Sequence, residues 1–163
     1  MRKTASSAPE ETPARQLAGF IAKFDPAIAT LIRQCRAVLR QRMPAALELV
    51  YDNYNFFVIG YAASEKPSSC IVSLAAAANG VGLSFYWGAT IPDPLALLQG
   101  AGTQNRFVRL PSAATLKTPG IAALIDAAIA QAKVPLPTTG KGRTIVRSIS
   151  AKQRSRRRSK DDR

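Results

Sequence analysis

Few residues of this sequence can do chemistry, because it contains no histidine. Without imidazole there is no Ser-His-Asp or Cys-His catalytic arrangement and no zinc or iron site of the usual histidine-containing kinds. The two cysteines, Cys35 and Cys70, are too few for a disulfide framework, and we interpret them as small apolar residues in a reduced compartment. A reaction would have to use carboxylates, Lys, Tyr or Arg, so the sequence favours a binding protein over an enzyme.

One pair of carboxylates, Glu48 and Asp52, has a spacing that suggests shared chemistry. The two residues lie four positions apart in a predicted strand with Val50 between them, so all three face the same side. Paired carboxylates can bind a hard cation such as iron or carry out acid-base work. The simpler interpretation is a polar, solvent-facing side of the strand, and both interpretations stay open at this point.

A second group of candidates combines aromatic and charged side chains. Tyr54 falls in a predicted turn, and Tyr86 faces away from its two neighbours in a strand, so either ring could line a pocket or stack on a base. The Gly-Ala-Gly segment at 100–102 has neither the Gly-Lys-Ser/Thr ending nor the following helix of a phosphate-binding loop, and we expect its glycines to supply positive φ angles in a turn. The candidate ligand-binding residues are Tyr54, Tyr86, Trp87, Asp93, Arg106 and Arg109.

The net charge of +13 is concentrated at the C-terminal end of the chain. Residues 133–163 contribute +9, which leaves an ordinary +4 for the rest. A flexible cationic segment can neutralise phosphates, so the tail predicts nucleic-acid association without sequence preference. The alternative is a solubilising appendage. The residues proposed for nucleic-acid contact are Arg154, Arg156, Arg157, Arg158 and Lys160.

Helices that position these side chains are predicted near both ends of the body. Apolar residues at helical spacing begin at about residue 17, and a second, clearer stripe starts after the potential cap Asp25 and ends before Pro44. A last helix is expected to begin at Thr118-Pro119, a cap followed by a proline in the first helical position. Four arginines are assigned to the solvent face of the second helix: Arg33, Arg36, Arg40 and Arg42.

Between residues 46 and 110 the apolar pattern changes to that of strands, with breaks rich in Asn, Gly, Pro and Ser. Short breaks, including Asn79-Gly80, indicate antiparallel neighbours, because parallel strands need long crossovers. The order predicts an α+β fold: an antiparallel sheet of about five strands packed against N- and C-terminal helices in a two-layer sandwich. Strands are expected near Leu47 to Asp52, Asn55 to Ala62, Cys70 to Ala75, Val81 to Trp87 and Asn105 to Leu110.

The chain is predicted to have three segments. Residues 1–16 form a flexible lead-in, residues 17–133 form the α+β domain, and residues 134–163 form a disordered basic tail. Within the domain, the long connection that follows Trp87 contains an Asp93-Pro94 pair that suggests one capped helical turn. Because binding residues often lie on loops held by a rigid sheet, this connection up to Arg109 is the expected working surface.

Two stretches of the domain resemble a known family. Val50 to Tyr61, and Phe85 to Pro94 continuing into Arg106 to Leu110, contain aromatic-Gly-Ala, Asp-Pro, Gly-x-Gly and Arg-x-x-Arg-Leu elements in that order. Together with the flanking helices they are similar to the YdhG-like family of domains of unknown function, over roughly residues 17–133. The resemblance implies a small α-β sandwich with the outline of frataxin, and iron-chaperone activity has been proposed for some members. Frataxin-type iron delivery depends on an acidic ridge, whereas this body has eight dispersed carboxylates and a net positive charge.

These observations predict a small cytoplasmic binding or accessory domain and specify neither its ligand nor its oligomeric state. No apolar run reaches the length of a membrane span, and the first nine residues lack the apolar stretch of a secretory signal. Two alternatives stay open: iron binding, by analogy with the family, and nonspecific nucleic-acid binding through the tail. No cofactor is predicted, and iron enters only through the first of these alternatives.

Overall fold

A computed structural model describes residues 11–162 of the chain. The first helix starts before the predicted domain boundary at residue 17, and its cap is Thr12, whose hydroxyl accepts the N–H of Arg15 at 3.2 Å. The prediction that residues 1–16 form a flexible lead-in is therefore wrong for its last residues, because α1 begins at Pro13. Residues 1–10 lie outside the described part. The later helices start at prolines, as predicted. The helices are α1 (Pro13–Ala22), α2 (Pro26–Arg42) and α3 (Pro119–Ala130).

The strands form one mixed sheet of six, which confirms the α+β prediction. They are β1 (Leu47–Asp52), β2 (Phe57–Ala62), β3 (Cys70–Ala77), β4 (Gly80–Phe85), β5 (Arg106–Arg109) and β6 (Thr144–Ile149). Their order across the sheet is β5-β4-β3-β2-β1-β6. The first five strands are antiparallel to their neighbours, as predicted, whereas β6 lies parallel to β1.

The helices cover one face of the sheet and form the main core with it. Alternate residues of β3 and β4 point into this core because side chains alternate along a strand. Val72 and Leu74 on β3, and Leu83 and Phe85 on β4, are 2% exposed or less. The alternation leaves the other face of these strands without a covering helix.

Strand β6 overturns the prediction that residues 134–163 are a disordered tail. The chain returns to β1 through Gly142, whose N–H donates to the Pro44 carbonyl at 2.8 Å. A Cβ at Gly142 would lie 1.6 Å from the Ala46 carbonyl oxygen, so only glycine permits this approach. Ile145 then packs against Leu49. The domain consequently extends well beyond residue 133, and β6 satisfies the backbone edge of β1.

Among the described helices, none combines the length and the apolar composition that crossing a membrane requires.

Candidate functional site

The uncovered face of the sheet contains a groove of about 750 Å³, which is within the size range of small-molecule sites. Its floor is formed by β3 and β4, whose outward positions carry only small side chains. These side chains leave open space above the backbone where larger ones would fill it. The floor residues are Ser73, Ala75, Ala77, Gly80, Gly82 and Ser84.

Aromatic rings border this floor. Phe56 on one side is 50% exposed, Phe107 on the other is 37% exposed, and Tyr86 lies at the far end of β4. Arg109 is the one charged residue among the described residues that line the groove, and it forms no ion pair with them. Val58 on β2 and the amides of Asn79, Gln99 and Asn105 complete the lining. The groove therefore offers flat apolar surface, hydrogen-bonding amides and a single positive charge.

The structure brings together only two of the predicted ligand-binding residues, Tyr86 and Arg109. Trp87 turns away from the groove: its indole N–H donates to the Ser68 carbonyl at 3.2 Å, beside a separate cleft of about 350 Å³. Tyr54 lies at the opposite end of the sheet, in the β1–β2 turn, and is 49% exposed.

The other two candidates, Asp93 and Arg106, organise the long connection between β4 and β5. The Asp93 carboxylate accepts the backbone N–H groups of Leu97 and Leu98, each at 2.9 Å, and closes a turn in place of the predicted helical turn. The Arg106 guanidinium donates to the carbonyls of Gly102 and Asn105, so it holds the glycine-containing loop in place. The positive φ expected of both glycines is present at Gly100 (115°) and is not found at Gly102.

Glu48 is not on a solvent-facing side of β1, because it is 2% exposed and points into the helix-covered face. The Arg36 guanidinium on α2 donates to both of its carboxylate oxygens at 2.9 Å. The hydroxyls of Tyr61 and Thr144 donate to the same carboxylate at 3.0 and 2.8 Å, and Arg40 lies 3.6 Å away. Arg36 and Arg40 therefore belong to a buried polar network, which corrects their assignment to a merely solvated helix face.

Asp52, at the other end of β1, is also buried and paired. One of its carboxylate oxygens lies 2.6 Å from Lys23 Nζ, and the other lies 3.0 Å from an Arg156 guanidinium nitrogen. Arg156 is 4% exposed, and its guanidinium carbon lies 5.9 Å from the centre of the Phe24 ring. This arginine is thus an internal counter-ion of Asp52, and the prediction that it contacts nucleic acid from a flexible tail is wrong.

These contacts change the acidity of both carboxylates in the same direction. Burial alone would raise the pKa of Glu48, but hydrogen bonds and charge from Arg36, with help from Thr144 and Tyr61, outweigh it and lower the pKa. For Asp52, burial is likewise outweighed by Lys23, Gln153 and Arg156, and the pKa is lowered. The carboxylates are held as anions by protein donors, which does not favour the predicted use of Glu48 and Asp52 as iron ligands.

Residues outside the predicted site set also define what the protein can do. Burial raises the pKa of the Cys35 thiol to about 11 and raises that of Cys70, so neither thiol favours the reactive thiolate form at neutral pH. Residues 11–162 contain no group of three or more His, Cys, Asp or Glu side chains placed to hold a metal ion. Phe107 and the small floor residues were not among the predicted site residues, although the alternation of small residues in two adjacent strands could have indicated an open groove floor.

No family model, no curated protein and no solved structure matches this chain.

Proposed function

We propose that this protein is a non-enzymatic binding domain whose groove on the open sheet face takes a small ligand with a flat apolar body and one acidic group. The observation that carries the proposal is the composition of the groove, which has a volume of about 750 Å³, a floor of small residues between exposed aromatic rings, and Arg109 in its lining. Aromatic walls favour a flat apolar body, and a guanidinium favours a carboxylate or similar anion.

The rest of the site geometry supports binding over catalysis. The buried carboxylates Glu48 and Asp52 are engaged by protein cations, and both thiols have raised pKa values. Around the groove, the polar groups are amides, hydroxyls and Arg109, which can orient a ligand without transferring a proton at neutral pH. This proposal retains Tyr86 and Arg109 from the sequence-based site and replaces the other candidates with Phe56, Phe107 and the groove floor.

A matched pair of fluorescent probes tests separately whether the groove binds an apolar body and whether it prefers an acidic group. The anionic probe 8-anilinonaphthalene-1-sulfonate and the neutral N-phenyl-1-naphthylamine share an apolar body and differ in the sulfonate. We expect Arg109→Gln to weaken binding of the anionic probe about tenfold, the effect of one charge-assisted contact, and to leave the neutral probe within about twofold. Ala75→Phe, which fills the groove floor, should weaken both probes.

Ala37→Phe on the exposed side of α2 is the control, since it adds the same ring outside the groove. Circular dichroism should show that each variant is folded, because loosely packed proteins also bind these dyes. Unchanged binding of both probes to folded Ala75→Phe would contradict the groove as the site. Equal loss of the two probes on Arg109→Gln would contradict the anion preference.

A further inference from the structure

A second surface, separate from the groove in composition, lies where the C-terminal segment crosses one end of the sheet. We call residues 150–160 the basic strap. The strap follows β6 and is fixed to the β1–β2 turn by two backbone hydrogen bonds of 2.9 Å, from Ser150 to the Asp52 carbonyl and from Arg154 to the Tyr54 carbonyl. Further along, the Arg158 guanidinium reaches the carbonyl of Asn79 in the β3–β4 turn at 3.3 Å.

The buried end of Arg156 makes the strap a fixed surface. This side chain inserts between the turn and Phe24, which follows α1, and it pairs there with Asp52, while the residues on either side of it remain exposed. Arg157 and Arg158 contact Asp25, the carboxylate that caps α2 by position, through an ion pair of 3.9 Å and a backbone hydrogen bond of 3.3 Å. The exposed cations of the strap are Lys152, Arg154, Arg157, Arg158 and Lys160.

An exposed aromatic ring lies directly beside these cations. Tyr54 is 49% exposed, and the guanidinium of Arg154 lies 5.7 Å from its ring centre. Phe56, two residues further on, is 50% exposed but belongs to the border of the groove. A half-exposed ring in contact with a guanidinium, beside a cluster of exposed cations, is the combination that surfaces for single-stranded nucleic acid use. The groove differs, because Arg109 is the one charge that lines it among the described residues.

We propose that the strap and Tyr54 bind single-stranded nucleic acid, with the strap cations on the phosphates and the tyrosine ring stacked on a base. Rows of cations beside an exposed ring match a charged backbone carrying unpaired bases. A duplex keeps its bases stacked inside and could use only the charges. This inference is independent of the groove, and it replaces a disordered tail with a defined surface that includes an aromatic contact.

The test measures fluorescence anisotropy of a labelled oligo(dT) of about 12 nucleotides with the full chain at about 50 mM salt. We expect Tyr54→Leu to weaken binding about tenfold, because it removes the stacking ring, and Tyr54→Phe to bind like the wild type. With four to five strap cations engaged, the slope of log affinity against log salt should be about −3. Arg158→Gln should make that slope shallower by about 0.7.

Arg33→Gln on α2 is the charge-matched control, since it removes an exposed arginine about two helical turns beyond the strap contact at Asp25 and should leave the slope unchanged. Ala75→Phe should also bind the oligonucleotide normally, which separates this surface from the groove. The proposal would be overturned if a duplex or an oligoglutamate of the same charge bound with equal affinity and Tyr54→Leu had no effect. Binding would then be due to nonspecific electrostatic attraction alone. An absence of binding at about 50 mM salt would overturn the proposal as well.

Discussion

The buried carboxylates at the two ends of strand β1 are neutralised by cations from different parts of the chain. Each end carries a carboxylate that points into the helix-covered core, Glu48 at one end and Asp52 at the other. Arg36 neutralises Glu48 from helix α2, only 12 residues away in sequence. Asp52 pairs with Lys23, which follows helix α1, and with Arg156 in the strap, 104 residues away.

The two ends also differ in how completely their polar groups are satisfied. Glu48 receives both prongs of the Arg36 fork and two hydroxyl donors. At the other end, Arg156 pairs through one guanidinium nitrogen, while its Nε and Nη1 atoms are buried without a hydrogen-bond partner among the described residues. An unsatisfied buried donor costs about 1–3 kcal/mol, so the Asp52 pair contributes less net stability than the Glu48 network.

The two buried ion pairs therefore have different roles in the fold. The Glu48 network joins α2, β1, β2 and the start of β6, so it belongs to the centre of the domain. The Asp52 pair attaches the strap and α1 to the end of the sheet. Substitutions at the two ends should therefore affect global folding and local attachment, respectively.

The largest expected effect follows from Glu48→Gln. The substitution leaves Arg36 facing a neutral amide, with its side chain only 25% exposed, and breaking a buried pair on one side costs about 3–5 kcal/mol. The free energy of unfolding from denaturant titration should fall by about that amount, toward the lower end because Arg36 keeps some solvent contact.

Asp126→Asn provides the matched control, because Asp126 forms an exposed ion pair with Arg42. Its effect should stay below about 1 kcal/mol, as is usual for pairs on the surface. A loss of less than about 1 kcal/mol for Glu48→Gln would show that the Glu48 network does not hold the centre of the domain.

A smaller and more local effect is expected from Arg156→Gln. Asp52 keeps Lys23 as its counter-ion, so the loss should be close to that of one hydrogen bond to a charged group, about 2 kcal/mol. Because the strap loses its buried anchor, trypsin should cleave within residues 150–160 at least about tenfold faster than in the wild type and leave the rest of the domain intact.

Glu48→Gln should give the contrasting digestion pattern, with cleavage distributed over the whole chain as global unfolding becomes more frequent. If Arg156→Gln also produced fragments from throughout the domain, the strap and the centre would unfold as one unit. The proposed division between the two ends of β1 would then be wrong.

Sequence patterns predicted the regular part of the fold well, because helical spacing and strand alternation reflect burial directly. The strand Leu47–Asp52 was predicted with its observed bounds, and the helices after Asp25 and Thr118 start where their prolines indicated. Strand β6 was missed because a basic, Gly- and Pro-rich composition dominated a short run of β-branched residues, Thr144 to Val146. Its pairing with β1 is parallel and distant in sequence, and no local pattern encodes that.

The candidate site was predicted less well than the fold, for a physical reason. Whether a charged side chain faces solvent or a buried partner depends on contacts between distant segments, as for Asp52 and Arg156. Alternation correctly placed Glu48 and Asp52 on one side of β1 and could not show that this side is the core. The groove combines β2 to β5 and the loop before β5, so its lining appears only when the sheet is assembled.

The smallest expected effect is the response of the two ends to acid. Both carboxylates have lowered pKa values in the folded protein, so each contributes its full stabilisation above its unfolded pKa, about 4.3 for Glu and about 3.9 for Asp, and loses it as the pH falls through the folded value. The free energy of unfolding should be flat near neutral pH and decline below about pH 4.

Glu48→Gln and Asp52→Asn should each remove part of that decline, since neither new side chain titrates. The two parts should add in the double variant, because the residues occupy opposite ends of β1 and share no partner. Arg156→Gln should remove only a fraction of the Asp52 part, since Lys23 still lowers that pKa. A pH profile of Asp52→Asn that parallels the wild type below pH 4 would show that the strap end contributes no proton-linked stability.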